Sequence, residues 1–224
     1  MEAREVLKHV DHTELMQNAK WEDIQRLCDD AVYYNTASIC IPPAYVKQAA
    51  EYLGDKMAVC TVIGFPHGYN TTATKVFEVK DAIANGAKEV DMVINIGWAK
   101  DGKFDAITEE IKALKEAAGD KILKVIIETA MLTDEEKIAL CKCVTDGGAD
   151  FIKTCTGFAA GKATVEDINL FKAHIGPNVK MKASSGMTSI DEGAVFVEMG
   201  CERLGSKLLV NIAKADGVAV EGGY

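Results

Sequence analysis

Apolar residues recur along the chain in two alternating rhythms. One is a short, nearly unbroken apolar run of the kind that makes a strand buried on both faces. The other is helical spacing. Ala3–His9 predicts a short helix leading into Val10-Asp11-His12-Thr13. Trp21, Ile24, Leu27, Cys28 and Ala31 then fall on one face of a helix over Trp21–Tyr33. The strand runs that follow are Ala37–Ile41, Met57–Ile63, Glu89–Asn95, Ile122–Glu128, Phe151–Thr156, Val179–Ala183 and Glu202–Gly205. Between them lie helical patterns at Pro43–Tyr52, Thr72–Asn85, Phe104–Ala118, Asp134–Asp146, Thr164–His174, Ile190–Met199 and Lys207–Lys214. Thr133 with Glu136 three residues on predicts a capping box.

Strand and helix thus alternate eight times, with no change in composition that would mark a linker. The expected fold is α/β: a (β/α)8 TIM barrel preceded by a short N-terminal helix, residues 1–224 forming one domain with a tail from 215 to 224. A doubly wound open sheet is the alternative, but no Gly-x-Gly-x-x-Gly follows the first strand.

Composition narrows the function classes. Hydrophobic residues make up 48% of the 224, and 25 basic against 34 acidic residues leave a net charge of −9. No basic excess exists for neutralising a phosphate backbone, so nucleic acid is not an expected partner. No apolar run reaches membrane-spanning length, and the N-terminus has no signal-like apolar region. Seven cysteines, mostly in apolar runs and without a Cys-x-x-Cys pair, point to a reducing, cytoplasmic setting. The four histidines show no ligand spacing, so neither metal nor cofactor is expected.

In a barrel the chemistry sits at the C-terminal ends of the strands. The polar residues there are Asp11, Cys40, Asp91, Asn95, Glu128, Lys153, Thr156, Lys182 and Ser184. Lys153 lies inside a buried strand run, and Lys182 inside another. A lysine so placed needs a partner, a cavity or a lowered pKa. Two ammonium groups in one pocket make one of them easier to deprotonate, and a neutral buried amine attacks carbonyls. Asp91 is positioned to move protons. Lys180, on the same face as Lys182 and one layer deeper, is expected to pair with Glu128 or Asp91. This constellation is that of a Schiff-base aldolase, with no ground for preferring Lys153 or Lys182 as the nucleophile. Thr156-Gly157, Ser184-Ser185-Gly186 and Gly205-Ser206 each put small residues just beyond a strand, where backbone N–H groups can approach a phosphate. Cys40 is a candidate for lining the pocket within reach of aldehydes.

The motifs VDHT (10–13), EVDMVINIG (89–97), KVIIETAML (124–132), DFIKTCTGF (150–158), ATVED (163–167) and KMKASSG (180–186) resemble the deoxyribose-phosphate aldolase family in content and order over nearly the whole chain. The resemblance implies reversible cleavage of 2-deoxy-D-ribose 5-phosphate to D-glyceraldehyde 3-phosphate and acetaldehyde on a barrel without metal, as a homodimer. It implies that Lys153 forms the Schiff base, Lys182 lowers its pKa and Asp91 transfers protons. Two positions depart from the family pattern: Ser185 stands where a second glycine is usual, and Lys207 follows Gly205-Ser206 where a small hydroxyl residue is usual. A transaldolase-type barrel and a non-catalytic sugar-phosphate-binding barrel are the other readings. The tail of about ten residues could span ~33 Å if extended. That is long enough to return Tyr224 to the rim, where its phenol would assist proton transfer.

Overall fold

Eight strands close into a parallel barrel in chain order in this computed structural model, which describes residues 1–218. The chain enters through α1 (Ala3–Leu7) and alternates β1 (Val10–Thr13), α2 (Trp21–Tyr33), β2 (Ser38–Ile41), α3 (Val46–Leu53), β3 (Val59–Ile63), α4 (Thr72–Ala84) and β4 (Glu89–Val93). It continues through α5 (Ile96–Lys100), α6 (Phe104–Ala118), β5 (Ile122–Ile126), α7 (Asp134–Asp146), β6 (Phe151–Lys153), α8 (Val165–His174), β7 (Lys180–Ser184), α9 (Ile190–Glu198), β8 (Cys201–Ser206) and α10 (Leu208–Ala215). The region of Tyr224 expected to return to the rim lies outside the described residues.

The large apolar core lies between the strands and the helix ring. Ile24, Leu27, Val79, Ile107, Ile111, Leu114, Phe171 and Leu209 come from the helices, and Ile39, Val90, Leu123, Ile152 and Leu204 from the strands. The barrel interior differs. It holds a small apolar cluster of Cys40, Cys60 and Val62, with Leu15 and Phe65 packed on it, beside a group of buried charged side chains. The predicted capping box closes α7: Thr133 Oγ1 accepts from Glu136 N, and Glu136 Oε2 accepts from Thr133 N at 2.7 Å.

Several boundaries shift. The strand expected to run to Asn95 stops at Val93, because Asn95 caps a helix of five residues. The strand expected to reach Glu128 stops at Ile126, and Glu128 takes a left-handed conformation (φ 56°). The segment from Pro43 begins with one 3-10 turn before α3. No helix among the described residues is long and apolar enough to cross a membrane.

Candidate active site

Register brings the charged side chains together. Asp91 on β4 pairs with Lys124 on β5, and Lys153 on β6 pairs with Lys182 on β7. A register shift between Met181 and Lys182 then sets Lys182 beside Arg203 on β8. Asp11 on β1 sits between Ser38 on β2 and Gly205 on β8. Gly205 permits this closeness: a Cβ there would stand 2.4 Å from Ser184 Oγ and 3.2 Å from Lys182 Cε.

The result is a buried network centred on Asp91. Lys153 Nζ and Lys182 Nζ both donate to its Oδ2, at 2.7 and 2.8 Å. Lys124 Nζ donates to its Oδ1 at 2.9 Å, and the Cys60 thiol to the same oxygen at 3.1 Å. Lys182 also donates to Asp11 Oδ2. Below them Arg203 spans Asp11 Oδ1 and Glu89, with three contacts of 2.8–2.9 Å, and Lys124 reaches Glu89 Oε2 at 2.6 Å. Ser38 Oγ donates to Asp11 Oδ1 at 2.8 Å.

Burial alone would raise the Asp91 carboxyl, but Lys124, Lys153 and Lys182 outweigh it and hold it well below the usual carboxylate range. Asp11 is lowered in the same way, burial being overcome by Lys124, Lys182 and Arg203. Lys182 is the mirror case. Burial opposes its charge, but Asp11 and Asp91 outweigh burial and hold it protonated, above the ordinary lysine value. Fully ionised, the network sets four cations (Lys124, Lys153, Lys182, Arg203) against three carboxylates (Asp11, Glu89, Asp91). Loss of one ammonium proton would balance it.

Lys180 corrects an expectation. It does not enter this network. Its ammonium is half-exposed at the opposite end of the barrel, 2.7 Å from Glu202 and over the Phe151 ring. Lys124 occupies the deep layer instead. It sits in the apolar run Ile122–Ile126 just as Lys153 sits in its own, so the signal that singled out Lys153 applied to it equally. Glu89, Arg203 and Ser38 were also missed, because they lie towards the N-terminal ends of their strands.

All seven residues expected at a phosphate site, Thr156, Gly157, Ser184, Ser185, Gly186, Gly205 and Ser206, line one cavity of about 420 Å³, together with Lys207. Lys207 is ion-paired with Glu14. Ser206 Oγ accepts from Leu208 N and Leu209 N at 3.1 and 3.2 Å, so it caps α10 at the cavity wall. Ser185 holds φ at 75°, a conformation that favours glycine. Cys40 lines neither this cavity nor the larger one beside it, and is fully buried. The Cys60 thiol's hydrogen bond holds Cys40's own thiol below its usual range. Cys40, Cys60 and Asp91 bring three potential metal-ligand atoms within 4.8 Å of one another. Both Asp91 oxygens are already committed to ammonium groups, so a dication there would have to displace lysines.

Fold and site together define a class: an eight-stranded barrel enzyme whose interior is built on lysine amines. The family description "DeoC/LacD family aldolase" matches residues 5–199. A deoxyribose-phosphate aldolase of Clostridium botulinum is 56% identical over 216 residues, covering 96% of this chain and 98% of the relative. One from Streptococcus agalactiae is 53% identical over the full length of both. A crystal structure from Coccidioides immitis, described provisionally as a deoxyribose-phosphate aldolase, superposes with a TM-score of 0.93 at 38% identity, covering 97% of this chain and 88% of that one. The chain belongs to the DeoC/LacD aldolase family and is a carbon–carbon lyase.

Proposed function

We propose that the chain reversibly cleaves 2-deoxy-D-ribose 5-phosphate to D-glyceraldehyde 3-phosphate and acetaldehyde through an imine on Lys153. The observation that carries the reading is the Lys153–Asp91–Lys182 triangle, with both ammonium groups on one carboxylate oxygen. It also supports the choice between the two lysines. Lys182 is gripped by two carboxylates and fully buried, whereas Lys153 has one shared carboxylate oxygen and lies nearer solvent. Lys153 is therefore the amine that reacts, and Lys182 the cation that stays.

The neutral Lys153 amine adds to the C1 aldehyde, and water leaves to give the iminium. A base removes the proton of the C3 hydroxyl, the C2–C3 bond breaks, and its electron pair flows to the iminium to give an enamine. Glyceraldehyde 3-phosphate departs. The enamine takes a proton at C2, and water hydrolyses the imine to release acetaldehyde and the amine. Asp91 is too strongly held as a carboxylate to be a good base alone. Its place between two ammonium groups suits it to pass protons along hydrogen bonds already made. The phosphate fits the cavity lined by Ser184–Gly186 and Gly205-Ser206, which lies at the positive end of the α10 dipole. A homodimer in the cytoplasm completes the proposal.

Borohydride reduction with substrate, followed by peptide mass spectrometry, tests it. The adduct is expected on Lys153 and should vanish in Lys153→Ala. An adduct on Lys182 in the unmodified chain, or on no lysine, overturns the assignment.

A further inference from the structure

Among the described residues, the cavity of about 420 Å³ at the barrel mouth is lined by one ammonium and one carboxylate, Lys207 and Glu14, and by no other charged side chain. The two are ion-paired with each other. They come from distant parts of the chain: Glu14 follows β1, and Lys207 stands between β8 and α10.

Lys207 has the wrong sign for its place. It sits just before α10, where the unpaired N–H groups of the helix already make a positive end and an acidic or small hydroxyl residue is the stable choice. Its side chain makes no cap. Ser206 Oγ takes that role, and so occupies Leu208 N and Leu209 N. Helix dipole and ammonium therefore add at one point of the cavity wall.

Glu14 offsets them. It is 5% exposed and anchored: Oε1 accepts from Met16 N at 3.0 Å, and Oε2 accepts from Lys207 Nζ. The Lys207 side chain is the open partner, 52% exposed. An ammonium has three donors, and the hydrogen bond to Glu14 uses one of them. The pair also lines a smaller cavity, of about 240 Å³, between α2 and α10. The other charges there are matched among themselves, Asp23 with Arg26 and Asp30 with Lys214. Lys207 is thus a cation with one counter-ion, spare donors and exposure at the wall of the substrate cavity.

We propose that Lys207 is a specificity-determining residue for the phosphorylated substrate: its ammonium, held by Glu14 in the free enzyme, is shared with the phosphate dianion when that group enters. Glu14 is the internal counter-ion that limits how tightly the phosphate is held. The proposal deepens the assignment of the phosphate to this cavity and rests on it. A dianion gains a charge-assisted hydrogen bond and the α10 dipole, and is opposed by the Glu14 carboxylate. An unphosphorylated sugar has no such charge to offer. Selection then comes from two opposed neighbours rather than from a cluster of cations.

Inorganic phosphate is the probe, titrated into the full chain and followed by phosphorus NMR line broadening, a readout that needs no catalysis. Lys207→Met, at a half-exposed position that does not threaten folding, should weaken binding by about tenfold or more, the loss expected for a hydrogen bond to a charged group. The ratio of kcat/KM for the 5-phosphate to that for free deoxyribose should fall with it. Glu14→Gln keeps an oxygen for Met16 N and removes the competing charge, so phosphate should bind severalfold tighter. The double variant should bind phosphate more weakly than the parent. Undiminished binding in Lys207→Met, weaker binding in Glu14→Gln, or a double variant equal to the parent overturns the proposal, the last because Lys207 would then only neutralise Glu14. Ser206→Asp separates this from the cavity assignment. If it weakens phosphate binding and Lys207→Met does not, the role of Lys207 falls alone; if neither does, the cavity assignment falls with it.

Discussion

The charge on a buried lysine depends on the carboxylates that hold it. Lys182 has two, and both keep it charged. In Lys182→Leu the cation beside the proposed imine-forming Lys153 is gone, and Asp91 Oδ2 keeps one of its two ammonium partners. Activity should fall and the pH optimum should move to the alkaline side, read from kcat/KM against pH. An unmoved profile would refute the two-lysine arrangement. His12 is a different single-residue case. It is buried, Nδ1 lacks a partner among the described residues, and burial lowers its pKa to about 4. Its folded value lies below the unfolded value of about 6.5, so the folded state favours the neutral ring. The stability this contributes is fully present above pH ~6.5. It declines as pH falls and is gone once pH passes below about 4, a loss of roughly 3 kcal/mol. Urea unfolding of the parent and His12→Asn across this range should show the difference between them shrinking by that order. A constant difference would mean that His12 is not held neutral.

At the scale of elements, α10 is where a local capping rule meets the proposed phosphate cavity. Ser206 caps it, and an aspartate is as good a cap. Ser206→Asp should therefore fold normally while placing a negative charge at the cavity wall. KM for the 5-phosphate should rise roughly tenfold or more, the order expected from like charges a few ångströms apart near a surface, and free deoxyribose should be little affected. Equal losses for both sugars would put the phosphate elsewhere. Elements like this explain what could be read from the sequence. Helices with caps and a full apolar stripe were legible: Phe104–Ala118 and Asp134–Asp146 fall where the pattern put them. Strand ends were not. The residues after β4 and β5 stay apolar into Ile94 and Ile127, which are buried without belonging to a strand, so hydrophobicity alone runs on. The five-residue helix after Asn95 is too short to show a period. Lys180 was misplaced because alternation gives a face but not a depth, and one layer separates a buried pair from an exposed one.

On the scale of the whole molecule, the network works as a closure for the barrel. Asp11, Ser38, Cys60, Glu89, Asp91, Lys124, Lys153, Lys182 and Arg203 come from all eight strands and meet within one hydrogen-bonded set. Such a set is costly to assemble, because each charge leaves water. It is more costly to break, because the survivors stay buried without partners. Asp11 has four partners in it, as many as Asp91, with contacts to β2, β5, β7 and β8. Asp11→Asn takes a charge from Lys124, Lys182 and Arg203 at once, and should cost about 3–5 kcal/mol in urea unfolding. Arg203→Met should also destabilise, since it strands the carboxylates of Asp11 and Glu89. The two changes together remove one negative and one positive charge that face each other at 2.8 Å. The double variant should then be more stable than the sum of the single losses implies, by about 0.5–3 kcal/mol. The same cycle measured on kcat/KM should show coupling too, because both residues belong to the network that holds Lys182 and Asp91 in place. Strict additivity in stability would mean that the two residues act independently, and that the barrel interior is a collection of separate ion pairs rather than one network.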